Sequence, residues 1–373
     1  MEQVRILVVD DSAFMRKMIS SMIERDPNLK VVGTARDGRD AIEKVKELQP
    51  DVMTLDIEMP AMDGLSALEI IMEQYPLPVI MVSSHTTEGA EMTLRALDLG
   101  AVDFIAKQTS FVNTDIVKIE QELIRKIKAV SGRKSFVANY RPALQSSQIA
   151  KKREMMQRGR SGVAGHDAVP EPQPVRQYAP VAPAARGAAA VRVIAVGTST
   201  GGPPALQALL TKIPASLSVP MLIVQHMPPA FTGPLAKRLN SLCQIEVREA
   251  IHGERLAPGV AFLAPGGKHM TVRNGGIVLS DEPVDSLHRP SVDVMVASAI
   301  REYGKSVLGV IMTGMGSDGA KAMKVLHDQG GTVLAQSAES CVVYGMPRAV
   351  VEANAASEVA ELGQLADRVM AYV

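Results

Sequence analysis

Along the first third of the chain, short apolar runs rich in β-branched residues alternate with longer segments whose apolar positions recur at helical spacing. The runs Ile6–Val9, Val31–Ala35, Val52–Leu55, Val79–Val82 and Val102–Ile105 predict five strands, each followed by an amphipathic helical segment. Strands that are apolar at every position belong to a parallel sheet covered on both faces. Their number and spacing predict a flavodoxin-like doubly wound domain over residues 1–125.

The periodicity then dissolves, and residues 126–190 are expected to form a linker. Pro170, Pro172, Pro174, Pro180 and Pro183 stand among Ala, Gly, Gln and Ser, a composition that favours an extended tether. Ser131–Ala190 carries ten Lys/Arg against three Asp/Glu, a net +7. Such a segment is self-repelling and solvated, or docks an acidic partner. Ile149–Arg160 has the pattern of a short helix.

Alternation resumes over residues 191–373. Val191–Val196, Pro220–Gln225, Val260–Leu263 and Ser306–Met312 read as strands. Ala205–Lys212, Ser291–Tyr303 and Ala320–Gln329 read as helices, and Asn274-Gly275-Gly276 as a hairpin turn. This predicts a second doubly wound α/β domain, mainly parallel with some antiparallel strand.

Composition narrows the class. Lys plus Arg and Asp plus Glu balance at 40 each, so net charge does not point to nucleic acid. The second domain shows neither a helix-turn-helix pattern nor a basic stripe. No run is long and apolar enough for a membrane span, and the amino terminus enters a strand without a signal-peptide pattern. Only Cys243 and Cys341 are present, which fits a reducing cytoplasm. A cytoplasmic monomer without membrane insertion is expected.

Chemistry gathers at the predicted strand ends. In the first domain Asp10 and Asp11 follow the first strand, Asp56 the third, Ser83 the fourth and Lys107 the fifth. Carboxylates so grouped repel one another unless a hard cation joins them, and Mg2+ suits oxygen donors. A carboxylate beside that ion and a lysine can accept a phosphoryl group. In the second domain Gly197-Thr198-Ser199-Thr200-Gly201-Gly202 breaks a strand into a glycine-rich turn and presents Ser199 near a helix amino terminus. Of seven histidines, only His226 directly follows a buried strand of that domain. Asp318, in Thr313-Gly314-Met315-Gly316-Ser317-Asp318-Gly319, can orient it.

Two other patterns lie in these segments. Gly314 to Gly319 fits a dinucleotide fingerprint, but Asp318 would repel a pyrophosphate and the strand comes late in its domain. Gly197-Thr-Ser199-Thr-Gly201 fits the nucleophile elbow, but the order Ser199, His226, Asp318 is not that of the α/β-hydrolase fold. Cys243 lacks a glycine-rich turn and reads as a buried hydrophobe.

Asp10, Asp11, Asp56, Met59-Pro60-Ala61-Met62-Asp63-Gly64, Ser83 and Lys107 together resemble a response-regulator receiver. The resemblance implies phosphorylation of Asp56 by a chemotaxis histidine kinase. It implies Mg2+ bound by Asp10, Asp11, Asp56 and the backbone carbonyl of Glu58. Ser83 would be the switch hydroxyl, Lys107 the phosphate-pairing lysine and Phe104 the rotating aromatic. Gln108 departs from the family, which usually has proline there.

Gly197–Gly202, Gln225-His226-Met227-Pro228, Pro265-Gly266-Gly267-Lys268-His269 and Thr313–Gly319 resemble the catalytic domain of the CheB-type chemotaxis methylesterases. That resemblance implies Ser199 as nucleophile, His226 as general base then acid, and Asp318 as orienter. The Met315 N–H would help form the oxyanion hole, with Thr200 supporting the nucleophile. The substrates implied are glutamyl γ-methyl esters, and glutamines, on the cytoplasmic domains of methyl-accepting chemoreceptors. No cofactor is expected at the esterase site. The rival reading is a receiver joined to a noncatalytic binding module, its serine turn merely holding phosphate.

Overall fold

A computed structural model of the protein describes residues 3–84, 86–107, 113–132 and 190–373. His85, Gln108, His166, the helical pattern at 149–160 and the proline-rich part of the linker lie outside the described residues.

The first unit runs β1 (Val4–Val9), α1 (Ala13–Glu24), β2 (Leu29–Ala35), α2 (Gly38–Leu48), β3 (Val52–Asp56), α3 (Gly64–Gln74), β4 (Val79–Ser84), α4 (Thr87–Asp98), β5 (Asp103–Lys107) and α5 (Asn113–Val130). The strands form one sheet in the order β2-β1-β3-β4-β5, and every pair is parallel. This is the expected flavodoxin-like order, and the strand order reverses beside β1 and β3. Helix entry is specified locally. Ser12, Asp37 and Asp63 each accept a hydrogen bond from a backbone N–H in the first turn of α1, α2 and α3.

All five strands run one to two residues beyond the sequence reading at one end, and two boundaries bear on the site and the linker. β5 begins and ends later than expected, so Lys107 is its last residue rather than two residues beyond it. α5 continues to Val130, into the segment assigned to the linker from 126, because Ile127 and Val130 are buried against the sheet.

The second unit begins with β6 (Val193–Thr198), α6 (Gly202–Leu210), β7 (Met221–Gln225) and α7 (Pro229–Leu242). It continues through β8 (Glu246–Glu249), β9 (Val260–Leu263), β10 (His269–Arg273), β11 (Gly276–Ser280) and α8 (Val292–Tyr303). It closes with β12 (Val307–Ile311), α9 (Ala320–Asp328), β13 (Thr332–Gln336), α10 (Met346–Glu352), β14 (Glu358–Ala360) and α11 (Leu365–Tyr372). Seven strands form a sheet in the order β14-β13-β12-β6-β7-β9-β8, all parallel. The antiparallel pairing expected from Asn274-Gly275-Gly276 is confined to a separate ribbon, β10 with β11. Asn274 and Gly275 both take positive φ there, as a two-residue hairpin turn requires.

The two units touch. Leu97 and Phe104 of the first share a buried cluster with Phe231 and Leu235 of the second. Arg238 on α7 pairs with Asp98 at the end of α4. Leu123 and Ile127 of α5 share another cluster with Val342 and Val343, and Met315 packs against it. Burial of aliphatic and aromatic area is the main attraction across this contact.

Candidate active site

Three adjacent strands, β12, β6 and β7, converge on one site. Thr198 is paired in register with Gln225 and Gly197 with Ile311. Ser199, His226 and the turn from Thr313 therefore leave neighbouring strands at the same carboxyl edge, where α/β sheets place their ligands.

The serine turn is held on both sides. Ser199 N–H donates to the Thr313 carbonyl at 3.0 Å, and the Ser199 carbonyl accepts from Gly202 N–H at 2.8 Å. Thr198 Oγ1 donates to the Thr313 carbonyl and Thr313 Oγ1 to the Thr200 carbonyl. Gln225 Nε2 donates to the carbonyls of both Ser199 and His226. Gly201 sits at φ +75°, and a Cβ on Gly202 would lie 1.9 Å from Gln225 Oε1. The glycines are thus required by a left-handed turn and by a close approach.

His226 continues the edge, its N–H donating to the Thr198 carbonyl. Its Nε2 lies 2.8 Å from Asp318 Oδ2, and both side chains are only 9% exposed. Its Nδ1 is buried without a hydrogen-bond partner. With Nε2 committed to the carboxylate, Nδ1 is the nitrogen available to take a proton.

Asp318 lies at the amino terminus of α8. It accepts from Ser291 Oγ at 2.8 Å, Val292 N–H at 2.7 Å and Asp293 N–H at 3.1 Å. Burial by itself would raise its pKa, but the bond to His226 and those backbone N–H groups outweigh it. The carboxyl is held far below the usual carboxylate range. A carboxylate so held stays ionised and can stabilise positive charge on a neighbouring imidazole. The Met315 N–H makes no hydrogen bond among the described residues and precedes Gly316 at φ +86°.

The sequence did not single out Ser291, Gln225, Thr313 or His288. Ser291 was legible as a helix start, but not as a donor to Asp318. The His288 ring stacks on His226, with centroids 4.1 Å apart and planes 17° apart. Burial first, and then His226, push His288 down to about 4.

In the first unit, single carboxylate oxygens of Asp10, Asp11 and Asp56 all lie within 4.8 Å of one another. Lys107 Nζ is 2.6 Å from Asp56 Oδ2 and 3.0 Å from Asp10 Oδ2. Burial pushes Asp56 up to about 6, with Lys107 pulling the other way. Glu58 is exposed, and its backbone N–H bonds Asp56. Ser83 Oγ donates to the Gly89 carbonyl at 3.1 Å and accepts from Thr93 Oγ1 at 2.6 Å. Phe104 is buried against Phe231, ring centroids 4.4 Å apart.

Residues 6–117 match the response regulator receiver domain family, and residues 194–369 match the CheB methylesterase family. A protein-glutamate methylesterase/protein-glutamine glutaminase of Oleidesulfovibrio alaskensis is 49% identical over 375 residues, 98% of each chain. One of Nitratidesulfovibrio vulgaris is 49% identical, again over 98% of each chain. The Thermotoga maritima CheB methylesterase catalytic domain is 36% identical, with a TM-score of 0.48, covering 50% of this chain and 100% of that one. A receiver joined to a CheB methylesterase domain, alike over nearly the full length of these relatives, makes this chain a member of the protein-glutamate methylesterase/protein-glutamine glutaminase family.

Proposed function

We propose that the protein is a phosphorylation-activated serine hydrolase that demethylates glutamyl γ-methyl esters on chemoreceptors and deamidates receptor glutamines. The observation that carries this reading is the His226–Asp318 pair, with Nδ1 of His226 left unpartnered at the strand edge from which Ser199 emerges.

Ser199 Oγ adds to the ester carbonyl carbon while His226 Nδ1 takes the hydroxyl proton. The resulting oxyanion is met by the Met315 N–H, and Thr200 supports the nucleophile turn. Collapse breaks the bond to the methoxy oxygen, and His226 returns its proton so that methanol leaves. Water then adds to the acyl carbon, losing a proton to His226. Ser199 Oγ departs with that proton, leaving a γ-carboxylic acid that ionises to glutamate by releasing its proton to water. With a glutamine substrate the leaving group is ammonia and the acyl intermediate is the same.

The first unit serves as the switch. Asp56 accepts phosphate from a chemotaxis histidine kinase, Lys107 pairs with the phosphoryl oxygens, and Ser83 turns toward them from Gly89 and Thr93. The donor set fits Mg2+: single oxygens of three carboxylates, with Asp10 and Asp56 buried, lie within 4.8 Å of one another. Asp10, Asp11, Asp56 and the Glu58 carbonyl would hold it, and its charge would offset that of the phosphoryl oxygens. Receiver contacts with Met315, Val342, Val343 and Phe231 restrain the esterase site until Phe104 and α4 shift. The protein would meet the cytoplasmic domains of methyl-accepting chemoreceptors in the cytoplasm; no helix among the described residues is long and apolar enough to cross a membrane.

Methanol release from methylated receptors, with and without acetyl phosphate, tests the reading. Release should rise with the phosphodonor in the wild type, lose that response in Asp56→Asn, and vanish in Ser199→Ala. Turnover indifferent to both Ser199 and the phosphodonor would leave the binding-module reading in its place.

A further inference from the structure

The base has a second histidine against its face. The His226 ring makes one hydrogen bond among the described residues, the 2.8 Å contact of Nε2 with Asp318. One hydrogen bond fixes where that nitrogen sits, but leaves the ring free to swing about it. The other nitrogen, Nδ1, is buried and has no hydrogen bond to fix it. One face of the ring lies flat against His288, at 4.1 Å and 17°, and a swing on that side would break the stack.

We propose that His288 is a positioning residue for the esterase reaction: stacked on His226, its ring keeps that imidazole turned with Nδ1 toward Ser199. The inference rests on the esterase reading above and adds to it a residue that touches neither substrate nor proton.

The surroundings suit that role. Ser286 Oγ donates to the His288 carbonyl at 2.9 Å, and Ser291, three residues on, binds Asp318. One short segment therefore supports both the partner and the face of His226. The groups that act electrostatically on the His288 ring are His226, Asp318, and Arg125 and Glu122 from α5 of the receiver. Burial, His226 and Arg125 outweigh the two carboxylates, so His288 is neutral at physiological pH. A neutral π face tolerates the imidazolium that forms at His226 during turnover, and attracts it as a cation–π contact. A second cation there would oppose it.

The test uses the full chain activated by acetyl phosphate, acting on methylated receptor, with melting temperature measured for each variant. His288→Ala removes the ring and should lower kcat at least tenfold while KM stays within twofold. His288→Phe restores a flat ring without a titratable nitrogen and should return kcat to within threefold of wild type. Should His288→Ala melt early, His288→Leu fills the volume without a π face and should be equally slow. A kcat for His288→Ala or His288→Leu within threefold of wild type overturns the proposal. So does a folded His288→Phe as slow as His288→Ala. Ser199→Ala, run alongside, separates the two readings. Turnover surviving in Ser199→Ala brings down the esterase reading and this inference together. An inert Ser199→Ala with an unslowed His288→Ala brings down this inference alone.

Discussion

Phe104 of the receiver packs against Phe231 of the esterase unit, ring centroids 4.4 Å apart and tilted by 30°. Phe104 lies at the fifth strand of the receiver, three residues before Lys107, whose ammonium pairs with Asp56. The aromatic contact therefore ties the strand that carries Lys107 directly to the esterase unit.

The ion pair between Arg238 and Asp98 fastens the same contact at its rim. Both side chains are partly exposed, so the pair contributes no more than about 1 kcal/mol and weakens with salt. Asp98→Asn should raise the unphosphorylated esterase rate by roughly two- to fivefold. The gain should shrink as ionic strength rises, since the wild type loses the pair as well. Methanol release measured across a salt series checks both statements, and a variant slower than wild type at every salt concentration refutes them.

Asp318→Asn should lower kcat by roughly 10³–10⁴-fold, because an amide neither fixes the His226 tautomer nor stabilises its charged form. Stability should respond too. The Asp318 carboxyl is depressed in the folded state, so it stabilises the fold above the ordinary carboxylate pKa of about 4. That contribution is lost as pH falls toward the folded value. The stability gap between wild type and Asp318→Asn should therefore be widest near neutrality and close progressively below about pH 4. Urea unfolding of both proteins across pH measures it.

Gly202→Ala places a methyl 1.9 Å from Gln225 Oε1. Overpacking of this kind costs about 1–3 kcal/mol. The same amide holds the Ser199 carbonyl, so esterase activity should fall further than stability alone would explain. Denaturation and steady-state kinetics on the same preparation distinguish the two losses.

Lys107→Ala should leave the basal esterase rate near wild type while abolishing most of the response to acetyl phosphate. Lys107 touches Asp56 and Asp10 and lies at the receiver pocket rather than at Ser199. A variant that still responds in full would show that Lys107 does not pair with the phosphoryl group.

Much of this was legible from residue pattern. All-apolar β-branched runs such as Ile6–Val9 and Val260–Leu263 fit only strands covered on both faces, and both are fully buried. α7 was not anticipated, and its sequence contains Pro229 and Pro234, residues that ordinarily interrupt a helix. The structure places Pro229 at the helix start and continues the helix past Pro234. β8, with its charged sequence Glu246–Glu249, and the short β14 lie at the sheet edges. Edge strands need no fully apolar run, so that pattern does not reveal them; β13 (Thr332–Gln336), buried inside the sheet, was not anticipated either.

The site divides the same way. Ser199, His226, Asp318, Asp10, Asp56 and Lys107 were legible because each follows or ends a strand, and parallel sheets gather functional groups there. Roles that depend on the other unit or on a distant helix were not legible. The sequence holds Ser291 and Asp318 as separate motifs, and only packing brings the amino terminus of α8 to the carboxylate and lowers its pKa. Likewise nothing in the spacing of His226 and His288 signals a stack, and nothing near Phe104 names Phe231. Local pattern determines elements and what stands at their ends, because periodicity and turn chemistry act over a few residues. Which ends meet, and with what charge, is decided by the tertiary fold, because burial and through-space electrostatics act between residues that the chain keeps far apart.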